Sequence, residues 1–280
     1  MIKFLARSGR GPGEVLDILS ITANEGGGVL LYDQGNNKVV EYDQQLEYKT
    51  ELSPEPYGGN NITDVYPAAA DDKYILLHSS YGYLKEKTKK PQNFLTRYNA
   101  ASQNYEQATP LQAREYARLI VDGAVRGAAA VPFSPRQLIV NNPYKQTIYI
   151  FWTDSGEIAE LSADFDTLRT IPVDLPAQSL SSQMSDSLKE RYRSEQWKTL
   201  QEKLPDQKTP VEDMKVDEQN RFWFELNYRG DTQQWLVMDQ EGDPQKIVHL
   251  PKESMLTHVS DEHLGLRLED ITFSVYEPVE

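Results

Sequence analysis

Residues Val29 to Tyr42 read Val-Leu-Leu-Tyr-Asp-Gln-Gly-Asn-Asn-Lys-Val-Val-Glu-Tyr, an order that few folds accommodate. Two runs of aliphatic and aromatic residues flank Asp33 to Asn37. Those loop residues tolerate positive φ, so the segment is a tight β-hairpin. Just upstream, Ser8-Gly-Arg-Gly-Pro-Gly-Glu14 is a Gly/Pro-rich turn that cannot be helix or central strand. Leu16 to Ala23 and Leu46 to Leu52 supply a first and a fourth strand. Four short strands joined by tight turns make a meander.

The pattern returns along the chain. Asp64 to Ala70, Tyr74 to Ser79, Phe94 to Asn99 and Tyr105 to Thr109 form a second candidate sheet, with a long polar hairpin loop from Tyr81 to Lys90. A third comprises Ala128 to Val131, Gln137 to Asn141, Thr147 to Thr153 and Ile158 to Leu161. Met214 to Asp217, Arg221 to Leu226, Gln234 to Asp239 and Gln245 to Leu250 form a clear later sheet. Leu256 to Val259, Leu264 to Leu268 and Thr272 to Glu277 give three last strands. Repeated four-stranded units that must stack to bury both faces are the signature of a β-propeller. Five units can be placed. A sixth comes from Leu168 to Leu175 with degenerate strands around Arg114 to Val125, so the expected fold is an all-β propeller of six four-stranded antiparallel blades, with five as the alternative; Ile2 to Ala6 completes the last sheet and closes the ring, removing its open edges.

One segment departs from this pattern. Leu180, Met184, Leu188, Tyr192, Leu200 and Leu204 are spaced by multiples of four, which predicts a helical insertion near 178–204. Ser187 to Glu190 has the form of a capping box, and Pro205 is a stop. The expected role is packing on one end of the ring, with a partner-docking helix as the alternative.

Composition limits the partners. The 280 residues include 39% hydrophobic and 10% aromatic side chains, enough for a globular core. Tyr outnumbers Phe by 16 to 8, which suits half-buried strand faces. A net charge of −14 argues against binding nucleic acid or an anionic membrane, including the RNA binding of some propellers. No Cys is present, which excludes thiolate chemistry and Cys-based metal sites. No stretch is long enough for a membrane-spanning helix. Met1-Ile2-Lys3-Phe4 starts directly on a strand-like run with no signal peptide in view, so an upstream targeting segment is expected to be missing.

The Gly-Pro-Gly-Glu turn followed by the Asp33, Gly35, Asn36, Asn37 and Lys38 hairpin resembles the repeat of NHL-type β-propellers. Glu212 to Asp239 keeps the outline of that repeat, with turns at Asp217 to Asn220 and Asp239 to Gly242. The layout is similar to six-bladed propeller lipoproteins of the Bacteroidota-type cell envelope, which open with such a turn, carry a late helical insertion and end in a three-strand blade. The resemblance implies an envelope location, periplasmic or lipid-anchored, if a signal segment is missing, and a cytoplasmic one otherwise.

No residue stands out as catalytic, cofactor-binding or metal-ligating. Asp33 and Asn37 lack the further alternating oxygen ligands of a calcium loop, so Asp33 is expected to accept hydrogen bonds from turn amides. His78, His249, His258 and His263 lack zinc-motif spacing. Neither a Gly-x-Ser-x-Gly elbow nor a phosphate loop occurs. In calcium-dependent six-bladed lactonases an early Glu joins the channel-mouth site; here Glu14 is expected instead to hold its turn. Tyr149, Phe151, Trp152 and Phe222 to Phe224 face both sides of their strands, so half of each set is core between blades, whereas Tyr81, Tyr83 and Tyr144 fall in loops, where local packing is expected, with stacking on a sugar or peptide as the alternative. The combined expectation is a single β-propeller domain over 1–280, monomeric and without cofactor. It serves as a non-enzymatic binding scaffold for a protein, peptide or carbohydrate, with a metal-dependent lactonase-like hydrolase as the alternative.

Overall fold

The computed structural model describes residues 6–23, 27–68, 73–80, 91–121, 124–142, 145–227, 231–260, 263–268 and 272–276. Packing divides the chain into two units. The first comprises 1–113 with 143–147 and 162–166; the second holds the remainder of 114–280.

The first unit contains two four-stranded antiparallel blades in simple meander order. Ile18–Ala23, Val29–Asp33, Lys38–Tyr42 and Tyr48–Leu52 form one; Asn61–Pro67, Lys73–Ser79, Asn93–Asn99 and Asn104–Leu111 form the other. Strand alternation sends Leu30, Tyr32 and Val39 to one face, where they meet Ile62, Val65, Tyr74, Leu76 and Tyr98 of the second blade. Leu31, Val40 and Tyr42 point the opposite way and pack with Val15 and Ala6. Each blade thus needs a neighbour on both faces, as in a propeller.

The second unit repeats the device. Gln137–Asn142, Thr147–Trp152, Glu157–Leu161 and Thr167–Pro172 make a third blade, and Val211–Val216, Phe222–Leu226, Thr232–Met238 and Pro244–Pro251 a fourth. Tyr149, Phe151, Ile158 and Ile171 pack against Met214, Phe222, Phe224 and Met238 between them. Edge-on ring pairs, Tyr149–Phe222 at 4.9 Å and Phe151–Phe224 at 5.5 Å, close that layer. Trp223, Trp235, Val237 and Leu250 on the fourth blade's other face meet Leu256, Val259, Leu264 and Leu266 of a three-stranded sheet, Ser254–Val259, Leu264–Leu268 and Thr272–Tyr276.

The count of six blades is corrected. Among the described residues four sheets have four strands, one has three, and Tyr116–Val121 with Ala124–Ala130 forms a lone hairpin. Leu168 to Leu175 does not seed a sixth blade, because Thr167–Pro172 is the fourth strand of the third blade. Ala128 to Val131 is not that blade's first strand, since it pairs back on Tyr116 and Ala117 instead. An apolar run cannot state which neighbour it joins, and Ala124–Ala130, with four Ala and a Gly in seven residues, has little side chain to specify one. The proposed closing strand, Ile2 to Ala6, lies outside the described residues except for Ala6.

The helical insertion near 178–204 is also smaller than its periodicity predicts. It comprises α1, Ser182–Lys189, and α2, Ser194–Gln201, flanked by Gln178–Ser179 pairing with Gln207–Lys208. The N-cap of α1 is Ser181, whose hydroxyl accepts from Met184 N at 3.3 Å, rather than Ser187. A second start follows where Gln196 Oε1 accepts from Arg193 N at 3.3 Å. Two competing caps within one apolar stripe break the helix. Leu200 packs on Ala117 and Val131, so the insertion braces the lone hairpin.

Two local devices recur. Residues 43–47, 162–166, 217–221 and 239–243 form one five-residue turn. The first N–H donates to the fifth carbonyl and the fourth N–H to the first carbonyl, at 2.9–3.1 Å throughout. The first side chain, Asp43, Ser162, Asp217 or Asp239, accepts from the third and fifth amides. The fourth residue is left-handed: Leu46 at φ 59, Phe165 at 60, Asn220 at 62 and Gly242 at 95. The second device is a bulge in the first strand of the sheets, at Leu19, Thr63, Glu212 and Thr257. Such bulges bend the strand and re-aim its side chains.

Candidate functional site

The residues most conspicuous in the sequence prove structural. Asp33 is fully buried, and its carboxylate accepts from Leu16 N (3.0 Å), Asp17 N (2.9 Å), Gly35 N (3.0 Å) and Asn36 Nδ2 (2.6 Å). Burial alone would raise its pKa, but these donors leave it lowered. Donors around both oxygens occupy the positions a cation would need. Asn37 instead takes the Tyr32 hydroxyl at 3.0 Å. Glu14 Oε2 accepts from Gly11 N at 2.8 Å, holding its turn as expected.

The four histidines do not converge. His78 is fully buried in the second blade, its Nε2 2.9 Å from Thr96 Oγ1, and burial holds its pKa down to about 4. Tyr57 and Tyr105 flank it with ring centroids 5.9 and 5.6 Å away. His249 is bonded to Thr232 at 2.9 Å, while His258 and His263 are exposed. Tyr149, Phe151, Phe222, Trp223 and Phe224 are all buried, more than the half of each set that alternation alone predicts, because both faces of these strands are covered. Tyr81, Tyr83 and Tyr144 lie outside the described residues. Among the described residues no group of three or more His, Asp or Glu is placed to hold a metal ion.

A polar cluster gathers where the first strands of the third and fourth blades begin. Arg136 Nη2 meets Glu212, the bulged residue, at 2.5 Å, and Asp213 pairs with Lys215 at 2.6 Å. Arg114 donates to Val131 O at 3.1 Å; burial, and then the Arg136 charge, lower its pKa. Glu225 takes Gln233 Nε2 at 2.7 Å. Burial raises its carboxyl, and Asp213 and Glu212 add to the effect. Sequence reasoning missed this cluster. Its one signal was the interleaving of Glu212, Asp213 and Lys215 with Val211, Met214 and Val216.

A cleft of about 630 Å³ opens between the fourth blade and the three-stranded sheet. Trp223, Leu250, Leu264 and Leu266, all buried, form its floor, and Gln219, Arg221, Lys246, Ile247, His249, Ser260 and Tyr276 surround it. Asp217, the first residue of its turn, sets two of these groups. Its Oδ2 accepts from Arg221 Nε at 2.7 Å and from Trp223 Nε1 at 2.9 Å. Trp223, Val237 and Lys246 stand in one row across three paired strands, so Lys246 shares the Trp223 face. Neither Lys246 nor the cleft stood out in the sequence, because an exposed Lys near a strand end is ordinary.

No family model and no curated protein matches this chain. Solved structures similar to it include a functionally unknown protein from Desulfotomaculum acetoxidans, at 10% identity over 94% of this chain and 67% of that one, TM-score 0.47. A gluconolactonase from Xanthomonas campestris is 14% identical over 92% of this chain and 71% of that one, TM-score 0.45. Virginiamycin B lyase from Staphylococcus aureus is 10% identical over 93% and 70%, TM-score 0.38. These likenesses carry no argument about function.

Proposed function

We propose that the protein is a non-enzymatic ligand-binding scaffold of the propeller type, acting in the bacterial cell envelope. One observation carries the binding reading: the cleft over Trp223. Its volume falls within the ~300–1,000 Å³ typical of small-ligand sites, and it joins an apolar floor to a few fixed polar groups. An apolar floor suits a peptide side chain or lipid-like body better than a bare carbohydrate. Soaking crystals of the full chain with a mixed fragment set tests the reading. Density over Trp223 supports it; fragments bound everywhere except this cleft would overturn it. Fractionation of source cells tests the envelope location.

A hydrolytic reading, including the metal-dependent lactonase type, draws on Glu225, whose raised carboxyl beside Glu212 and Asp213 is the setting of a general acid. Turnover of lactones or esters with added divalent ions, lost in Glu225→Gln, would favour it over the scaffold.

A further inference from the structure

We propose that this cleft selects a ligand joining a flat apolar body to an anionic head, with the head at Lys246 and the body over Trp223, Leu264 and Tyr276. The inference rests on the binding reading above and adds the chemistry of the ligand. The chain carries 43 acidic residues against 29 Lys and Arg. Yet the described residues lining the cleft include Arg221, Lys246 and His249 and no carboxylate. The nearby turn residues Asp239, Glu241 and Asp243 are acidic but do not line it. Asp217, the carboxylate just behind, is fully buried and committed to Arg221, Trp223 and the turn amides.

Lys246 breaks the local pattern. Val248 and Leu250, its neighbours on the same strand face, pack into the layer against the three-stranded sheet. A third apolar residue would extend that layer; a lysine there places an ammonium at the edge of an apolar floor. Among the described residues it has no carboxylate within ion-pair distance. Lys246 is exposed, so an oxyanion seated over the apolar floor would meet its charge at surface strength, an attraction that low salt preserves and high salt removes.

Two dyes separate the possibilities. 8-Anilinonaphthalene-1-sulfonate and N-phenyl-1-naphthylamine share an aryl body, and only the first carries an anion. The full-length protein is titrated with each at low salt, alongside Lys246→Gln with its fold checked by circular dichroism. The expected result is tighter binding of the sulfonate dye, weakened ~5-fold in Lys246→Gln, with the neutral dye unchanged. Equal binding of both dyes, or a sulfonate affinity indifferent to Lys246→Gln, would overturn the anionic head and leave the binding reading standing. Binding of neither dye would overturn both.

Discussion

The Lys38 ammonium lies 2.8 Å from Glu51 Oε2, joining the third and fourth strands of the first blade from a side chain only 5% exposed. Lys38 also donates to Gly11 O at 3.0 Å, and Glu51 accepts from Gly13 N at 3.1 Å. The pair therefore pins the Gly-Pro-Gly turn to the blade. Removing one partner strands the other, so Lys38→Met is expected to cost about 3 kcal/mol in chemical denaturation. Burial alone would raise the Glu51 carboxyl; Lys38 and the Gly13 amide leave it lowered. Its stabilisation is present above the ordinary carboxylate range and lost as pH falls through it. A melt unchanged between pH 7 and 3 would contradict this.

His78 adds a second acid dependence. Folding holds it neutral down to about 4, whereas an unfolded His takes a proton near 6.5. Its contribution is thus complete above 6.5 and shrinks as pH falls toward 4. At about 1.4 kcal/mol per pH unit, the loss across that window is about 3 kcal/mol. His78→Gln should flatten the stability curve between pH 6.5 and 4, even if it lowers the whole curve.

The recurrent turn makes opposite predictions at equivalent positions. Gly242 is left-handed, and a Cβ there would lie 2.3 Å from Pro172 O. Gly242→Ala combines strain with a backbone clash and should destabilise by about 2–3 kcal/mol. Leu46 has the same sign of φ at 59°, so Leu46→Gly should cost little through the backbone, within about 1 kcal/mol of the wild type in urea. Equal losses at both sites would show that the turn geometry is not shared.

Asp217 couples the turn to the cleft. It is fully buried and holds the Arg221 guanidinium and the Trp223 indole. Asp217→Ala should lower stability by about 3 kcal/mol and blue- or red-shift the tryptophan emission, since it strands buried donors. Asp217→Asn, which keeps acceptor capacity, should recover part of the stability. If both variants melt like the wild type, the carboxylate does not organise this end of the blade.

Strand chemistry was legible wherever local signals agreed. The first blade shows this best: Asp33 to Lys38 demanded a hairpin, and every flanking side chain alternates as a stacked blade requires. The turns at Asp217 and Asp239 were readable for the same reason, because an Asx side chain and a left-handed residue act within five positions. The helical stripe was readable in period but not in extent. Competition between Ser181 and the second start near Arg193 depends on what each short helix packs against.

The sequence by itself determined the all-β meander, the positions of its tight turns and the face each apolar side chain takes, because these follow from φ preferences and a two-residue period. Only the tertiary structure decided how many strands gather into each sheet, that Leu168 to Leu175 joins the third blade and that Ala128 pairs with Arg118. It alone placed Glu212 beside Arg136, and Lys246 in a row with Trp223. Those neighbours are far apart in the chain, and a short apolar or charged run carries no information about which distant surface it will meet.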